Sequence, residues 1–310
     1  MFMPVAVVGA RLKNDGTLLT RGSFDEQGDV YTGHKVTQDY IFADELDEIT
    51  LPGGAPSGGS VKLNGSSQLL SITGSGDFQF GNNPFTVEGW FYTTVTTYQR
   101  LWCFPNGDNV EILGSTLYYW NGTLAIGSGP NIIPTYQWFH VALVKSSSSL
   151  VKVYVNGKSV ITDTQPINST GSRALAIGGE LAAGDIGGQN AASGADGYFS
   201  GQFTNFRIVK GIAVYTNNFS TPIAPFARTQ NAGINIAAIT GSQTVLLLNV
   251  ASSAAMLTDS SGTNKSITNV GTATYDGLTP LSTTYNGKMK QRRSGELLVA
   301  NEFDEETGIV

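Results

Sequence analysis

The chain has 310 residues, of which only 14% are charged, and it is rich in glycine, serine, threonine and asparagine. This composition indicates many short strands joined by tight turns, and the length permits one large all-β domain, since these often exceed ~200 residues. The single cysteine, Cys103, excludes an internal disulfide framework. No apolar run approaches the ~20 residues that span a bilayer, so we expect no membrane insertion.

The net charge of −6 is unevenly distributed along the chain. Residues 58–285 hold ten acids and ten bases, residues 1–57 hold nine acids and four bases, and residues 286–310 hold five and four. A neutral centre between acidic ends lacks the basic surface that nucleic-acid binding needs. We therefore expect an N-terminal acidic arm, a central domain and a C-terminal arm, and no nucleic-acid partner. The Pro/Gly-rich stretch 51–59 (LPGGAPSGG) marks the first boundary.

Short apolar runs alternate with turn residues throughout the central domain. The runs 85–92 (FTVEGWFY) and 138–144 (WFHVALV) have β-forming residues on both faces, which is typical of strands inside a sandwich. The run 151–155 (VKVYV) alternates, with its valines on one face. Eight residues are predicted to lie in the core: Val87, Trp90, Val141, Leu143, Val153, Val155, Phe206 and Ile208.

Two Asn-Gly pairs predict hairpins. Asn156-Gly157 follows the alternating run, and a type I′ turn needs positive φ at two consecutive residues, which Asn and Gly tolerate best. Asn121-Gly122 follows 117–120 (LYYW) and predicts a second turn of the same kind. Strands at this spacing, without helical periodicity, indicate an antiparallel sandwich or barrel.

Several segments resemble a known family in the expected order. The chain resembles the laminin-G-like family of concanavalin-type jelly rolls in four segments: 85–90 (FTVEGW), 138–142 (WFHVA), 153–157 (VYVNG) and 201–208 (GQFTNFRI). The continuations 210–215 (KGIAVY) and 245–249 (VLLLN) look like versions found in tailed-phage and other viral structural proteins. The resemblance covers about residues 60–276, and it implies an all-β antiparallel jelly-roll β-sandwich in a virion structural protein.

The two ends of the chain carry a repeat. Residues 43–50 (ADELDEIT) match 300–307 (ANEFDEET) at five of eight positions, and a third copy surrounds Phe24. An apolar residue amid acids gains little in a monomer, whereas it can anchor in a groove of a partner. We therefore predict Phe24, Leu46 and Phe303 as assembly anchors that join the arms to other virion proteins and to further copies of the chain.

Residues suited to catalysis are scarce. A glycosidase needs two carboxyl groups across a cleft. In hydrolases of the family that the sequence resembles, these carboxylates share one strand, and the nearest match, 45–48 (ELDE), lies in the arm. Two histidines, His34 and His140, and one cysteine leave little for a nucleophilic triad or a transition-metal site. We expect no enzyme activity and no cofactor.

Calcium is the metal alternative, because some relatives in the family that the sequence resembles bind it at a rim through aspartate and backbone oxygens. The candidate ligands are Asp185 and Asp196, in the Gly-rich segment 178–197, and Asp108. The competing interpretation of that segment is an ordinary surface loop.

Glycan binding would need an exposed aromatic platform beside polar groups. Tyr118, Trp120 and Trp102 are the candidate rings, and the competing interpretation is that they fill the core.

Three functions remain in order of preference. The first is a virion structural protein, for capsid decoration or the tail, that is anchored by its arms and displays a lectin-like jelly roll. The second is a glycan-binding adhesin, at a tail tip or secreted, with a host surface glycan as ligand. The third is a polysaccharide hydrolase, which the missing carboxylate pair disfavours.

Overall fold

The computed structural model describes residues 58–105, 107–166, 173–180, 197–222 and 224–280, and the backbone of five short strands in the terminal segments. The chain divides into two units, Ser57–Leu281 and a terminal unit that combines Met1–Pro56 with Ser282–Val310. The two arms, which are far apart in sequence, therefore share one unit. None of the helices in the described part of the chain is long and apolar enough to cross a membrane.

The central unit is a sandwich of two antiparallel sheets, with the three-residue 3-10 turn Gly76–Phe78 beside them. The seven-stranded sheet has, in spatial order, β10 (Ala125–Gly127), β9 (Thr116–Trp120), β8 (Asn109–Leu113), β7 (Gln99–Cys103), β14 (Arg173–Ile177), β5 (Leu69–Ser75) and β17 (Ile267–Val270). The eight-stranded sheet has β13 (Lys158–Asp163), β12 (Leu150–Val155), β11 (Trp138–Ser147), β6 (Phe85–Thr93), β15 (Ser200–Lys210), β4 (Ser60–Asn64) and β18 (Thr274–Asp276), with β16 (Thr244–Leu248) also paired to β15. The predicted all-β antiparallel sandwich is confirmed.

The core lies between the two sheets and is rich in aromatic rings. Trp102 of the seven-stranded sheet packs between Phe91 and Phe206 of the other sheet, with ring centroids 5.9 and 5.7 Å away. All eight residues predicted to be core residues are buried. Seven of them point between the sheets, where period-two alternation identifies them because the inner face of every strand must exclude water. Trp90 points to the outer face of β6 and packs against Phe226 and Leu247 instead.

The two Asn-Gly pairs form different turns. Asn156 (φ 48°) and Gly157 (φ 75°) make the predicted two-residue connection between β12 and β13. A Cβ at Gly157 would lie 2.0 Å from the carbonyl oxygen of Phe219, so glycine is required there for space as well as for φ. The predicted hairpin at Asn121-Gly122 also forms, between β9 and β10, but the predicted two-residue turn was wrong. There the side-chain oxygen of Asn121 accepts hydrogen bonds from the backbone of Thr123 and Leu124, which extends the loop to four residues.

The sandwich begins and ends at the same place. Its first strand, β4, pairs with its last strand, β18, and Ser60 lies directly opposite Asp276. A Cβ at Gly59 would lie 2.2 Å from the carbonyl oxygen of Asp276, so the two chain segments approach each other closely. The chain therefore enters and leaves the sandwich side by side.

A long segment, residues 211–243, covers part of the outer face of the eight-stranded sheet. Tyr215 and Phe219 stack with their ring centroids 3.5 Å apart, and both rings pack beside Tyr154 of β12. Val214 and Ile239 complete a second apolar cluster on this face. This cover explains why the central strands are apolar on both faces.

The terminal unit contains two small sheets of known backbone pairing. One is the hairpin of β1 (Arg11–Leu12) and β2 (Leu18–Leu19). The other has the order β20 (Leu297–Leu298), β19 (Met289–Arg292) and β3 (Leu46–Ile49). Of the predicted anchors, Leu46 begins β3, whereas Phe24 and Phe303 lie outside the described residues.

Candidate functional site

A buried charged cluster lies under the cover of the eight-stranded sheet. Glu88 of β6 accepts hydrogen bonds from Nε and Nη2 of Arg207 at 2.9 and 2.6 Å and from the hydroxyl of Tyr215 at 2.6 Å. Nε2 of His140 lies 3.2 Å from the same carboxylate and must carry the proton, because an ionised carboxylate only accepts. Glu88, Arg207 and His140 are almost completely buried.

The electrostatics of this cluster suit a structural role. Burial opposes ionisation of Glu88, but the charge of Arg207 and the hydrogen bonds of His140 and Tyr215 outweigh it and lower the pKa of Glu88 to about 2. A carboxylate that is ionised, enclosed and fully bonded has no access to a substrate. Since Arg207 also donates to Gln230, in the cover, the cluster fastens the cover to the sheet.

Asp108, one of the calcium candidates, belongs to a second buried cluster. Its carboxylate accepts hydrogen bonds from Nη1 of Arg173 at 3.0 Å and from the hydroxyl of Tyr119 at 3.2 Å. Asp108 is buried, and its backbone oxygen accepts a hydrogen bond from the indole of Trp102. The other two candidates, Asp185 and Asp196, lie outside the described residues. Within the part of the chain that the structure describes, no group of three or more metal-ligating side chains occurs.

The three rings predicted as a glycan platform do not lie together. Trp102 is fully buried between the sheets, so it offers no face to a sugar and is not part of a platform. Tyr118 and Trp120 lie on the outer face of β9 and are half-buried, while Leu117 and Tyr119 between them point into the core. These two rings are hereafter the β9 platform.

Small residues leave one side of the β9 platform open. On the edge strand β10, Gly127 lies opposite Tyr118 and Ala125 lies opposite Trp120. A Cβ at Gly127 would lie 3.0 Å from the Tyr118 ring, so any larger residue would displace that ring. The platform therefore reaches the edge of the sheet with little above it from β10.

Charged groups flank the other side of the β9 platform. Glu111 of β8 lies opposite Tyr118, and Arg100 of β7 lies opposite Glu111. Nε of Arg100 is 3.9 Å from Glu111 and donates to the hydroxyl of Tyr98 at 2.9 Å, while Nη1 pairs with Glu180. An aromatic surface thus continues into a row of carboxylates and a guanidinium, which are groups that hydrogen-bond hydroxyl-rich ligands.

The thiol beside this row is not a nucleophile. Cys103 lies 3.7 Å from Nη1 of Arg100. Burial raises the pKa of Cys103 to about 12, despite the opposing charge of Arg100. The thiol therefore stays protonated at neutral pH, and thiolate chemistry has no basis here.

A comparison with family models matches residues 64–212 to the laminin-G type of the concanavalin A-like lectin/glucanases superfamily. The sandwich has a laminin-G/concanavalin-like jelly-roll fold. The matched range covers β5 to β15 and includes the β9 platform and the Glu88 cluster. No curated protein matches the sequence significantly.

Three solved structures with a similar fold have low sequence identity to this chain. A heptameric SAP-like pentraxin from Limulus polyphemus is 16% identical over 51% of this chain and 78% of its own, with a TM-score of 0.40. A provisionally named carbohydrate-binding protein from Bacteroides ovatus is 13% identical over 72% and 60%, with a TM-score of 0.45. Domains LG4-5 of mouse laminin α1 are 17% identical over 54% and 47%, with a TM-score of 0.36.

The sandwich carries a second aromatic pair that sequence reasoning missed. Tyr92 of β6 lies opposite Trp138 of β11 on the outer face of the eight-stranded sheet, with ring centroids 5.7 Å apart. Both rings are half-buried, and Gln202 and Lys62 continue the same row across β15 and β4. The sequence did contain a signal, since these rings alternate with the inward-facing Phe91 and Phe139.

Proposed function

We propose that the sandwich is a glycan-binding module without catalytic activity. The observation that carries this proposal is the β9 platform, where Tyr118 and Trp120 share an open outer face beside Glu111. A sugar ring presents an apolar C–H face that packs on aromatic carbons, and its hydroxyl groups donate to carboxylates at the edge. The platform offers both contacts in one row.

The absence of catalysis is part of the same proposal. Hydrolysis needs one carboxyl group protonated and a second one free to act from the other side of the scissile bond. Glu88 is enclosed and ionised, and Glu111 and Glu180 are both turned toward Arg100. We expect a bound glycan to be released unchanged.

A glycan array followed by titration with the strongest hit tests this proposal. Trp120→Ala and Tyr118→Ala are each expected to raise the Kd roughly tenfold, which corresponds to a loss of about 1.4 kcal/mol in binding free energy. Truncating an aromatic anchor removes the area that stacks on the sugar. Chromatography of the recovered glycan should show no cleavage.

The matched control is Tyr136→Ala, which removes a 66% exposed tyrosine that is not part of the platform, and it should bind as the wild type does. The variant pair Tyr92→Ala and Trp138→Ala probes the other sheet. If that pair abolishes binding while the β9 variants bind normally, the site has been assigned to the wrong face.

We propose, second, that this protein is a virion structural protein of a tailed phage, attached to a capsid or tail through its terminal unit. Two observations support it, besides the resemblance of 210–215 and 245–249 to viral structural proteins. The chain enters and leaves the sandwich side by side at Ser60 and Asp276. The two arms then pair with each other, since β3 lies alongside β19. The alternative is a secreted adhesin, which would bind a glycan in the same way but would not be part of a virion.

Deletion of either arm is expected to abolish incorporation into particles. Because β3 and β19 pair, removing residues 1–50 or removing 288–310 destroys the same sheet. Either deletion alone should therefore reduce incorporation as much as both deletions together. Incorporation is measured by quantifying the protein in purified particles. Both truncated chains should retain the glycan affinity of the full chain. Normal incorporation of residues 58–285 alone would show that the arms are not the attachment unit.

A further inference from the structure

The two hairpins of the terminal unit have the same sequence pattern and the same register. In the first, Arg11 lies opposite Leu19 and Leu12 opposite Leu18. In the second, Lys290 lies opposite Leu298 and Gln291 opposite Leu297. When the Gly-x-Leu-Leu segments at 16–19 and 295–298 are aligned, each pair of the first hairpin falls on a pair of the second. The hairpins are therefore two copies of one structural module.

The second hairpin shows what this module does with its free edge. Strand β3 adds antiparallel to the edge of β19 that faces away from β20, with Glu48 opposite Lys290 and Leu46 opposite Arg292. The added strand is remote in sequence, and it is one of the three acidic repeats. The module therefore accepts an acidic repeat strand beside its first, basic strand.

The first hairpin offers the equivalent edge. Among the strands that the structure describes, β1 pairs only with β2. Arg11 takes the place of Lys290, so the position that opposes an acid in the second hairpin is basic in the first as well. A two-stranded ribbon alone is marginal in water, and a third strand would satisfy the outer backbone groups of β1.

The repeat also identifies the strand that fits this edge. Residues 303–306 (FDEE) align with β3 (LDEI), which places Glu305 at the position of Glu48 and Asp304 at that of Asp47. The outer edge of β19 is occupied by β3, a repeat that is remote in sequence, and not by the repeat that directly follows the hairpin. If the first hairpin follows the same rule, its partner is not the copy at Phe24, which directly follows it. β3 is already paired with β19, which leaves residues 303–306.

We propose that residues 303–306 of a second copy of this chain add to the outer edge of β1, with Glu305 opposite Arg11. Each chain supplies one such donor strand and one such acceptor edge, so identical copies can pair every β1 edge in a closed oligomer. Main-chain hydrogen bonds supply the contact, and the opposed charges fix its register. The biological purpose of this contact rests on the proposed attachment role of the terminal unit. The contact itself is between copies of the chain, so it can be tested without virus particles.

Disulfide trapping between two distinguishable chains tests the proposal. One chain carries Arg11→Cys, and the other carries Glu305→Cys and a fusion that changes its mobility. Directly opposed residues of antiparallel strands have Cα atoms about 4.5–5.5 Å apart, within the range that a disulfide bridges. Co-expressed and oxidised, the two chains should form a mixed disulfide that disappears on reduction. The native thiol does not interfere, because Cys103 is buried.

Three matched variants make the outcome decisive. Glu48→Cys with Lys290→Cys in one chain should close within that chain, because the structure pairs these residues directly. Glu306→Cys in place of Glu305→Cys should give little mixed disulfide, since one residue of shift turns the side chain to the opposite face.

If the Glu48/Lys290 control closes but Glu305→Cys gives no more product than Glu306→Cys, the proposal is wrong. It is also wrong if Arg11→Cys/Glu305→Cys in a single chain closes only within that chain. Particle incorporation, measured separately, reports on the virion role.

Discussion

Replacing Arg207 with methionine is expected to lower the free energy of unfolding of the sandwich by roughly 3–5 kcal/mol, because it leaves a buried charge without a partner. Glu88 is completely buried, and Arg207 is the cation that holds its carboxylate ionised. Arg207 also donates to the carbonyl of Ala227 and to Gln230, and its guanidinium lies 4.5 Å from the Phe226 ring centroid. The substitution therefore loosens the cover as well as the sheet.

Lys62→Met is the matched control for this prediction. Lys62 also lies on the eight-stranded sheet, but its side chain is 59% exposed and its nitrogen is 3.9 Å from Asp276. An exposed pair of this kind contributes about 0–1 kcal/mol, so the change should be small. Denaturant unfolding, monitored by tryptophan fluorescence, gives both values. Equal effects of the two variants would show that the Glu88 cluster does not stabilise the fold as its geometry indicates.

The inner face of the sandwich was predictable because one rule governs it. Successive side chains of a strand point to opposite faces, and a side chain that points between two sheets must be apolar. Val87, Val141 and Val153 occupy such inward-pointing positions. Neither the cover nor the partner of Glu88 could be predicted in this way. The described residues of 211–243 form no strand, and their backbone pairs through isolated bridges such as that of Tyr215 with Ile236. A segment without periodicity gives no sign of the face it will cover.

The candidate site was only partly predictable for a related reason. Tyr118 and Trp120 share a face because they are two residues apart on a regular strand. The direction of Trp102 could not be predicted, because β7 is buried on both faces and its register against β8 shifts between Arg100 and Trp102. A bulge of this kind reverses the alternation that identifies the two faces.

Acid is expected to destabilise the sandwich through the same cluster, with a sign that follows from the pKa of Glu88. The folded-state pKa, about 2, lies below the ordinary value of 4.5. A carboxyl group with a lowered folded pKa stabilises the protein above its unfolded pKa and loses that contribution as the pH falls. The full contribution of Glu88 is about 3 kcal/mol, and we expect it to be present at neutral pH and to decline between pH ~4.5 and ~2.

The comparison that isolates Glu88 is the pH dependence of unfolding in the wild type and in Glu88→Gln. Asp77 and Asp259 also have lowered pKa values, so the wild type loses stability in acid for several reasons. Glu88→Gln should be less stable at neutral pH, because Arg207 then lacks its counter-charge. Its stability should nevertheless fall less steeply, by about 2 kcal/mol between neutral pH and pH ~3, since the amide does not titrate. Denaturant unfolding across this range measures both slopes. If the plots of unfolding free energy against pH are parallel for the two proteins, Glu88 titrates alike in the folded and unfolded states, and Arg207 does not hold it ionised. This conclusion would hold whatever the difference in stability between the two proteins at neutral pH.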